Sequence, residues 1–252
     1  MDQLDPILIA LPLISLCAFY VKGIAGIGTT SVIVALCSFI IDPKIAIILA
    51  SFINMFGGLR MVTIDRFSLP KCFWIPVTIT MIIGSILGAL TLAYIDNTIF
   101  KIILGTAFFL AAIWFFTKTK ETKNMPPVKE RSSLGDLVIG TIGGFCGGFI
   151  GINTPPLVLY FGSFLDKRSL RRLLVIILFP AAIAQSATFW WSGVLNQKIM
   201  LLALLMLPGM FIGTYLGNKS FHFISENMFR KILAILLFIV SIRLVYLGIG
   251  NM

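Results

Sequence analysis

Apolar positions along this chain fall in long blocks, and the polar positions that interrupt them recur in the same order twice. The first block runs from Pro6 to Ile41, broken only by Lys22 and a glycine-rich turn at Gly23–Ser31. After Asp42-Pro43-Lys44, spans are expected over 45–62 and 72–94, separated by a polar joint that carries Asp65 and Arg66. Asp96-Asn97-Thr98 is a turn and helix N-cap signal, opening a span over 99–116. About 20 apolar residues cross the hydrocarbon core of a bilayer, so each block reads as a crossing or half-crossing helix.

Hydropathy then collapses. Residues 118–133 contain Lys118, Lys120, Lys123, Lys129, Arg131 and the helix-breaking Pro126-Pro127. Beyond this linker the order repeats. An interrupted apolar stretch covers 134–165, the basic joint Lys167-Arg168-Ser169-Leu170-Arg171-Arg172 follows, and spans are expected over 173–191, 199–217 and 232–247. The turn Gly23-Ile24-Ala25-Gly26-Ile27-Gly28-Thr29-Thr30-Ser31 aligns, at one constant offset, with Gly148-Phe149-Ile150-Gly151-Ile152-Asn153-Thr154-Pro155-Pro156. Gly84-x-x-x-Gly88 is answered by Gly213-x-x-x-Gly217, and Phe100-Lys101 by Phe229-Arg230. The expected fold is therefore an all-α polytopic membrane protein of two repeats, 1–117 and 134–252. Each repeat is a broken-helix hairpin, over 6–41 or 134–165, followed by three transmembrane helices.

Composition agrees with the pattern. Hydrophobic residues make up 58% of the 252 and charged residues 12%, against about 25% charged in soluble domains. The N-terminus lacks the basic region of a signal peptide, so the first apolar segment is expected to stay on the mature protein. A net charge of +10 could suggest nucleic acid, but no basic groove or aromatic platform accompanies it. Most Lys and Arg sit in short loops, which is how membrane proteins set their orientation.

With the linker in the cytoplasm and each hairpin returning to its own side, each half makes an odd number of net crossings. The halves are then inverted. Arg60, Arg66, Lys71, the linker, the Lys167–Arg172 joint, Lys219, Arg230 and Lys231 fall inside. Lys44, Lys101, Lys198, Arg243 and both termini fall outside. A non-inverted arrangement strands one of the basic joints on the outer face.

Cys17, Cys37, Cys72 and Cys146 are scattered and His222 is the one histidine. Metal sites need clustered ligands, so no metal or other cofactor is expected and the thiols read as small packing residues.

The hairpins carry the candidate chemistry. An arm from Pro155 to Leu165 spans about 16 Å as a helix, against a hydrocarbon core of ~30 Å. It cannot cross, and the arm from Thr29 to Ile41 is similarly short. Both turns are then expected near the bilayer midplane, where irregular backbone is tolerated only beside protein or a wet cavity. Pro155 suits the first turn of a helix, and Asn153 and Thr154 are capping residues. Gly26, Gly28, Gly148 and Gly151 leave room for backbone donors to approach a guest. Two helix N-termini meeting there make a donor-rich, anion-favouring pocket, to which Thr29, Thr30 and Ser31 add hydroxyls. Lys22 is a cation inside a span with no acidic neighbour nearby, and suits an anion ligand; snorkelling toward the surface would also satisfy it. Asn54 and Gln185, in corresponding spans, either line the route or bond between helices. Gly84, Gly88, Gly213 and Gly217 read instead as close helix packing, and on an exposed face would permit a homodimer.

At these turns the chain resembles the TauE/SafE family of sulfite-exporter-like permeases, over essentially its full length. The family's turns usually read G-x-G-G-G before a proline-containing segment. Gly26-Ile27-Gly28 keeps the first part and then gives Thr29-Thr30-Ser31, while Gly151-Ile152-Asn153 departs sooner and Pro155-Pro156 keeps the proline. The resemblance implies a bacterial inner-membrane permease for sulfur-containing or organic anions, without naming the anion. An outward-driving membrane potential and the lack of an acidic residue well inside a span favour export without proton coupling. The rival readings are an anion channel, an intramembrane enzyme, a sulfur relay through Cys37 and Cys146, and a non-transporting membrane scaffold.

Overall fold

The computed structural model describes residues 4–25, 28–64, 71–117, 132–162, 165, 167–220 and 226–250. Among them every regular element is an α-helix. The first half holds α1 (Leu4–Ala25), α2 (Thr29–Cys37), α3 (Pro43–Ile64), α4 (Lys71–Tyr94) and α5 (Asn97–Thr117). The second holds α6 (Ser133–Ile150), α7 (Thr154–Phe161), α8 (Lys167–Trp191), α9 (Gln197–Leu205), α10 (Leu207–Lys219) and α11 (Glu226–Ile249). Helices α3, α4, α5, α6 and α8, and α9 with α10 taken together, are long and apolar enough to cross a membrane. The linker expected over 118–133 lies, up to Arg131, outside the described residues.

The helix ends have local causes. The side chain of Asn196 caps α9 by accepting from the Ile199 amide at 3.0 Å, and Ser132 caps α6 from Gly135. The Asp96 carboxylate accepts from the amides of Thr98 and Ile99 at the start of α5, which holds its carboxyl below the usual carboxylate range. Both hairpin breaks turn on a left-handed glycine, Gly28 (φ 88°) and Gly151 (φ 73°), a conformation that a Cβ opposes.

Packing is reciprocal between the halves. Helix α1 lies along α10, α6 lies along α4, α3 faces α8, and α5 faces α11. The first two contacts are the same contact made twice, with the halves exchanged, and both run over glycine. A Cβ at Gly84 or Gly88 would collide with the Thr141 or Phe145 carbonyl on α6, and one at Gly144 or Gly148 with the Met81 or Ser85 carbonyl on α4. On the other pair, Gly209, Gly213 and Gly217 meet the carbonyls of Pro12, Leu16 and Tyr20. These small-residue stripes let backbones approach where lipid offers no hydrophobic drive. They are used within the chain, which removes the exposed glycine face on which a homodimer was argued.

Three details of the helices go beyond those expectations. The span over 199–217 is interrupted at Met206, because Pro208 cannot donate back to the preceding turn and the helix restarts at Leu207. The short hairpin arms are shorter than expected, since α2 ends at Cys37 and α7 at Phe161. Asp136 is buried at 4% exposure but sits in the first turn of α6, at the end of a span rather than well inside it.

Several of the cations assigned to the outer face are tied to chain ends there. Arg243 donates to the carbonyls of Ser38 (2.8 Å) and Phe39 beyond the end of α2, and stacks on the Phe39 ring. Lys44 donates to the Ile95 carbonyl, and Lys101 lies 3.7 Å from Asp42. The far end of α7 is held near the start of α6, where the Tyr160 hydroxyl donates to the Ser132 carbonyl at 3.2 Å. The second hairpin therefore folds back on itself.

Candidate functional site

The two breaks face one cavity of about 50 Å³, large enough for a small ion or a few waters rather than one alone. Lys22, Gly28, Thr29, Thr30, Ser31, Asn54, Gly151, Asn153, Thr154 and Gln185 all line it. Two other expected site residues do not. Gly148 packs its Cα against α4, and Pro155 lies one position past the lining, inside α7. Gly26 lies outside the described residues.

Each helix contributes differently. Helix α2 starts at the left-handed Gly28 with no side-chain cap, and its first intrahelical bond runs from the Val32 amide to the Gly28 carbonyl. The amides of Thr29, Thr30 and Ser31 are therefore left over at the N-terminus. Thr29 and Ser31 are buried at 4% and 7% exposure, line the cavity, and their hydroxyls have no hydrogen-bond partner among the described residues. Helix α7 offers less. Asn153 does not cap it, and Pro155 and Pro156 occupy its first turn without N–H groups. Its contribution comes from side chains instead: the Thr154 hydroxyl donates to Asn153 Oδ1 at 3.1 Å, and the Asn153 side chain lies over Gly147. The two halves repeat in sequence, yet most free backbone donors come from the first.

Lys22 reaches from the last turn of α1 to the middle of α3. Its Nζ donates to Asn54 Oδ1 at 3.0 Å, and Asn54 Nδ2 donates to Thr30 Oγ1 at 3.0 Å. Because Thr30 Oγ1 accepts from Asn54, its own proton is available to a guest. The ammonium also sits 5.2 Å from the centre of the Phe19 ring, a cation–π distance. Gln185 bonds between helices. Its Nε2 donates to the carbonyls of Gly147 and Gly148 at 3.2 and 3.3 Å, where α6 ends; the Gly147 carbonyl also accepts from the Gly151 amide.

Sequence reading missed part of the wall. Ser51, Ser85, Gly144 and Gly147 add small surfaces, and Met61, Met81, Val175, Leu178 and Phe179 make an apolar end. That end lies toward the finish of α3 and the start of α8. Ser51 and Ser85 donate to carbonyls of their own helices, so neither is a spare donor. The lining holds one ammonium, hydroxyls and amides, and among the described residues no carboxylate, imidazole or thiol. Cys37 is fully buried, and neither it nor Cys146 is part of the wall.

The family model for "Sulfite exporter TauE/SafE" matches residues 11–244. The chain belongs to the TauE/SafE family. A curated relative, the "Probable sulfite/organosulfonate exporter TauE" of Cupriavidus necator, is 22% identical over 139 residues. That alignment covers 53% of this chain and 52% of the relative, so the chain spans about half the length of the curated relative it matches. No solved structure matches. As a TauE/SafE protein this chain is a multi-pass membrane protein of a transporter family. Its departures from the family's glycine-rich turn, Thr29-Thr30-Ser31 and Asn153, all face the cavity.

Proposed function

We propose that this protein is a permease that exports a small sulfur-containing or organic anion across a bacterial inner membrane. The anion is held between the starts of α2 and α7. The observation that carries this reading is the cavity wall: leftover α2 amides, unpartnered hydroxyls of Thr29 and Ser31, and the Lys22 ammonium, with no acidic group among the described residues facing them. Such a wall solvates an anion in place of water and repels nothing of that sign. The reciprocal α1–α10 and α4–α6 contacts support two equivalent halves, which in the inverted arrangement rock about a fixed central site. In this reading the linker and the Lys167–Arg172 joint are cytoplasmic and both termini lie outside.

Binding tests the site directly. Purified protein should be stabilised against heat by sulfite or a small sulfonate, and Lys22→Met should abolish the shift while leaving the unliganded melting temperature close to that of wild type. Stabilisation that survives Lys22→Met would locate the anion elsewhere. Export is tested in vesicles: counterflow of labelled sulfite that saturates marks a carrier, whereas single-channel currents would mark a channel.

A further inference from the structure

We infer that the site selects by charge and carries monoanions, so that hydrogensulfite and sulfonates enter it while the sulfite and sulfate dianions do not. This deepens the proposed function and rests on it. The argument is a count of charge at the cavity. Lys22 is the one formal charge among the described residues that line it. Other ionisable groups lie on the helices around it: Tyr20 on α1, Cys37 on α2, Arg60 on α3, Asp136 and Cys146 on α6, Arg171 and Arg172 on α8, and Tyr215 and Lys219 on α10. None of them lines the cavity.

The helix ends do not supply a second positive charge. A helix N-terminus acts as roughly half a charge and a C-terminus as its opposite. Here every N-terminus at the cavity has a C-terminus beside it, α1 ending at Ala25 before α2 and α6 ending at Ile150 before α7. To first order these fields offset. What remains is a set of directed donors around one ammonium.

Asn54 fixes that count. Its carbonyl oxygen accepts a hydrogen bond from Lys22 Nζ and its amide donates to Thr30 Oγ1, so the ammonium is oriented by a neutral group and its charge stays free for a guest. A monoanion closes the charge balance, and a dianion would leave one unit of charge uncompensated in a partly dry cavity, which is costly.

Sulfite makes the experiment clean, because hydrogensulfite loses its remaining proton close to neutrality whereas methanesulfonate is a monoanion throughout. Dissociation constants of the full-length protein for sulfite, methanesulfonate and sulfate would be measured from mildly acidic to mildly alkaline pH. Sulfite affinity should fall about tenfold per pH unit once the dianion dominates, methanesulfonate affinity should hold, and sulfate should bind at least about tenfold more weakly than methanesulfonate at every pH. Asn54→Asp, which neutralises Lys22 in place, should weaken methanesulfonate by about tenfold or more. Sulfite affinity that holds or rises with pH, or a decline that methanesulfonate shares, overturns the inference. Failure of every anion to bind at any pH removes the anion site itself, and is distinguishable from a site that binds without discriminating charge.

Discussion

Lys22, Asn54 and Thr30 form a short chain of donors and acceptors lining the cavity, and no acidic group among the described residues completes it. A cation left open in this way inside a membrane protein is expensive unless something anionic visits. Gly151 is under a different constraint. Its φ of 73° is left-handed, and a Cβ there would also stand 2.9 Å from Thr30 Cγ2. Gly151→Ala should therefore cost about 1–3 kcal/mol and push Thr30 out of register, seen as a lower melting temperature together with a weaker anion shift. Gly193→Ala is the control, since Gly193 has the same backbone sign and nothing near its Cβ; it should lose stability without touching affinity. Asp96 gives a residue-level pH test. Backbone amides lower its carboxyl pKa in the folded chain, so its contribution is present above the unfolded carboxylate range and fades as pH falls through the lowered value. The melting difference between wild type and Asp96→Ala should be constant near neutrality and narrow at low pH.

Between elements, the interactions that fix the site are backbone approaches rather than side-chain interlocks. Helix α4 meets α6 glycine to carbonyl at Gly84, Gly88, Gly144 and Gly148, and α10 meets α1 likewise at Gly209, Gly213 and Gly217. Because the two contacts are equivalent, Gly84→Leu and Gly213→Leu should be about equally damaging, each by roughly 3 kcal/mol or more, read as lost yield or lost melting cooperativity. Gln185→Leu should cost less, about 1–3 kcal/mol, because it removes a donor from the Gly148 carbonyl and a second donor from that of Gly147 without moving a helix. Much of this was legible in advance. Hydropathy located the long helices, and the duplicated glycine turn located both breaks, since a glycine with capping residues inside an apolar run has few other uses. The interruption at Met206 was missed although Pro208 announced it, because an apolar run of spanning length hides a bend. The asymmetry between α2 and α7 was also hidden. Pro155 and Pro156 fit a first turn equally well whether or not that turn must donate, and only the cavity wall separates the two roles.

At the scale of the whole molecule, the reading that remains to be tested is that the halves are inverted. Reciprocal packing of α1 on α10 and α6 on α4 is what an approximate two-fold between the halves would give, and such an axis can lie along the membrane normal or in its plane. Only the second gives a central site equal access to both faces. Charge argues for it: the Arg66 joint and the Lys167–Arg172 joint share a face in the inverted arrangement, and in that arrangement Arg243, Lys44 and Lys101, bound to carbonyls or Asp42, share the other. Single cysteines introduced in a background lacking Cys17, Cys37, Cys72 and Cys146 separate the two cases. In intact right-side-out vesicles, a membrane-impermeant thiol reagent should label Asn97→Cys and Asn196→Cys and should spare Ser169→Cys and Ser220→Cys until the vesicles are opened. In the parallel arrangement, equivalent ends of the two halves lie on the same face, so Asn97→Cys, at the α4–α5 junction, and Ser220→Cys, at the α10–α11 junction, would label alike. Labelling of Ser169→Cys in closed vesicles would place the basic joint outside and undo the topology on which a midplane site depends.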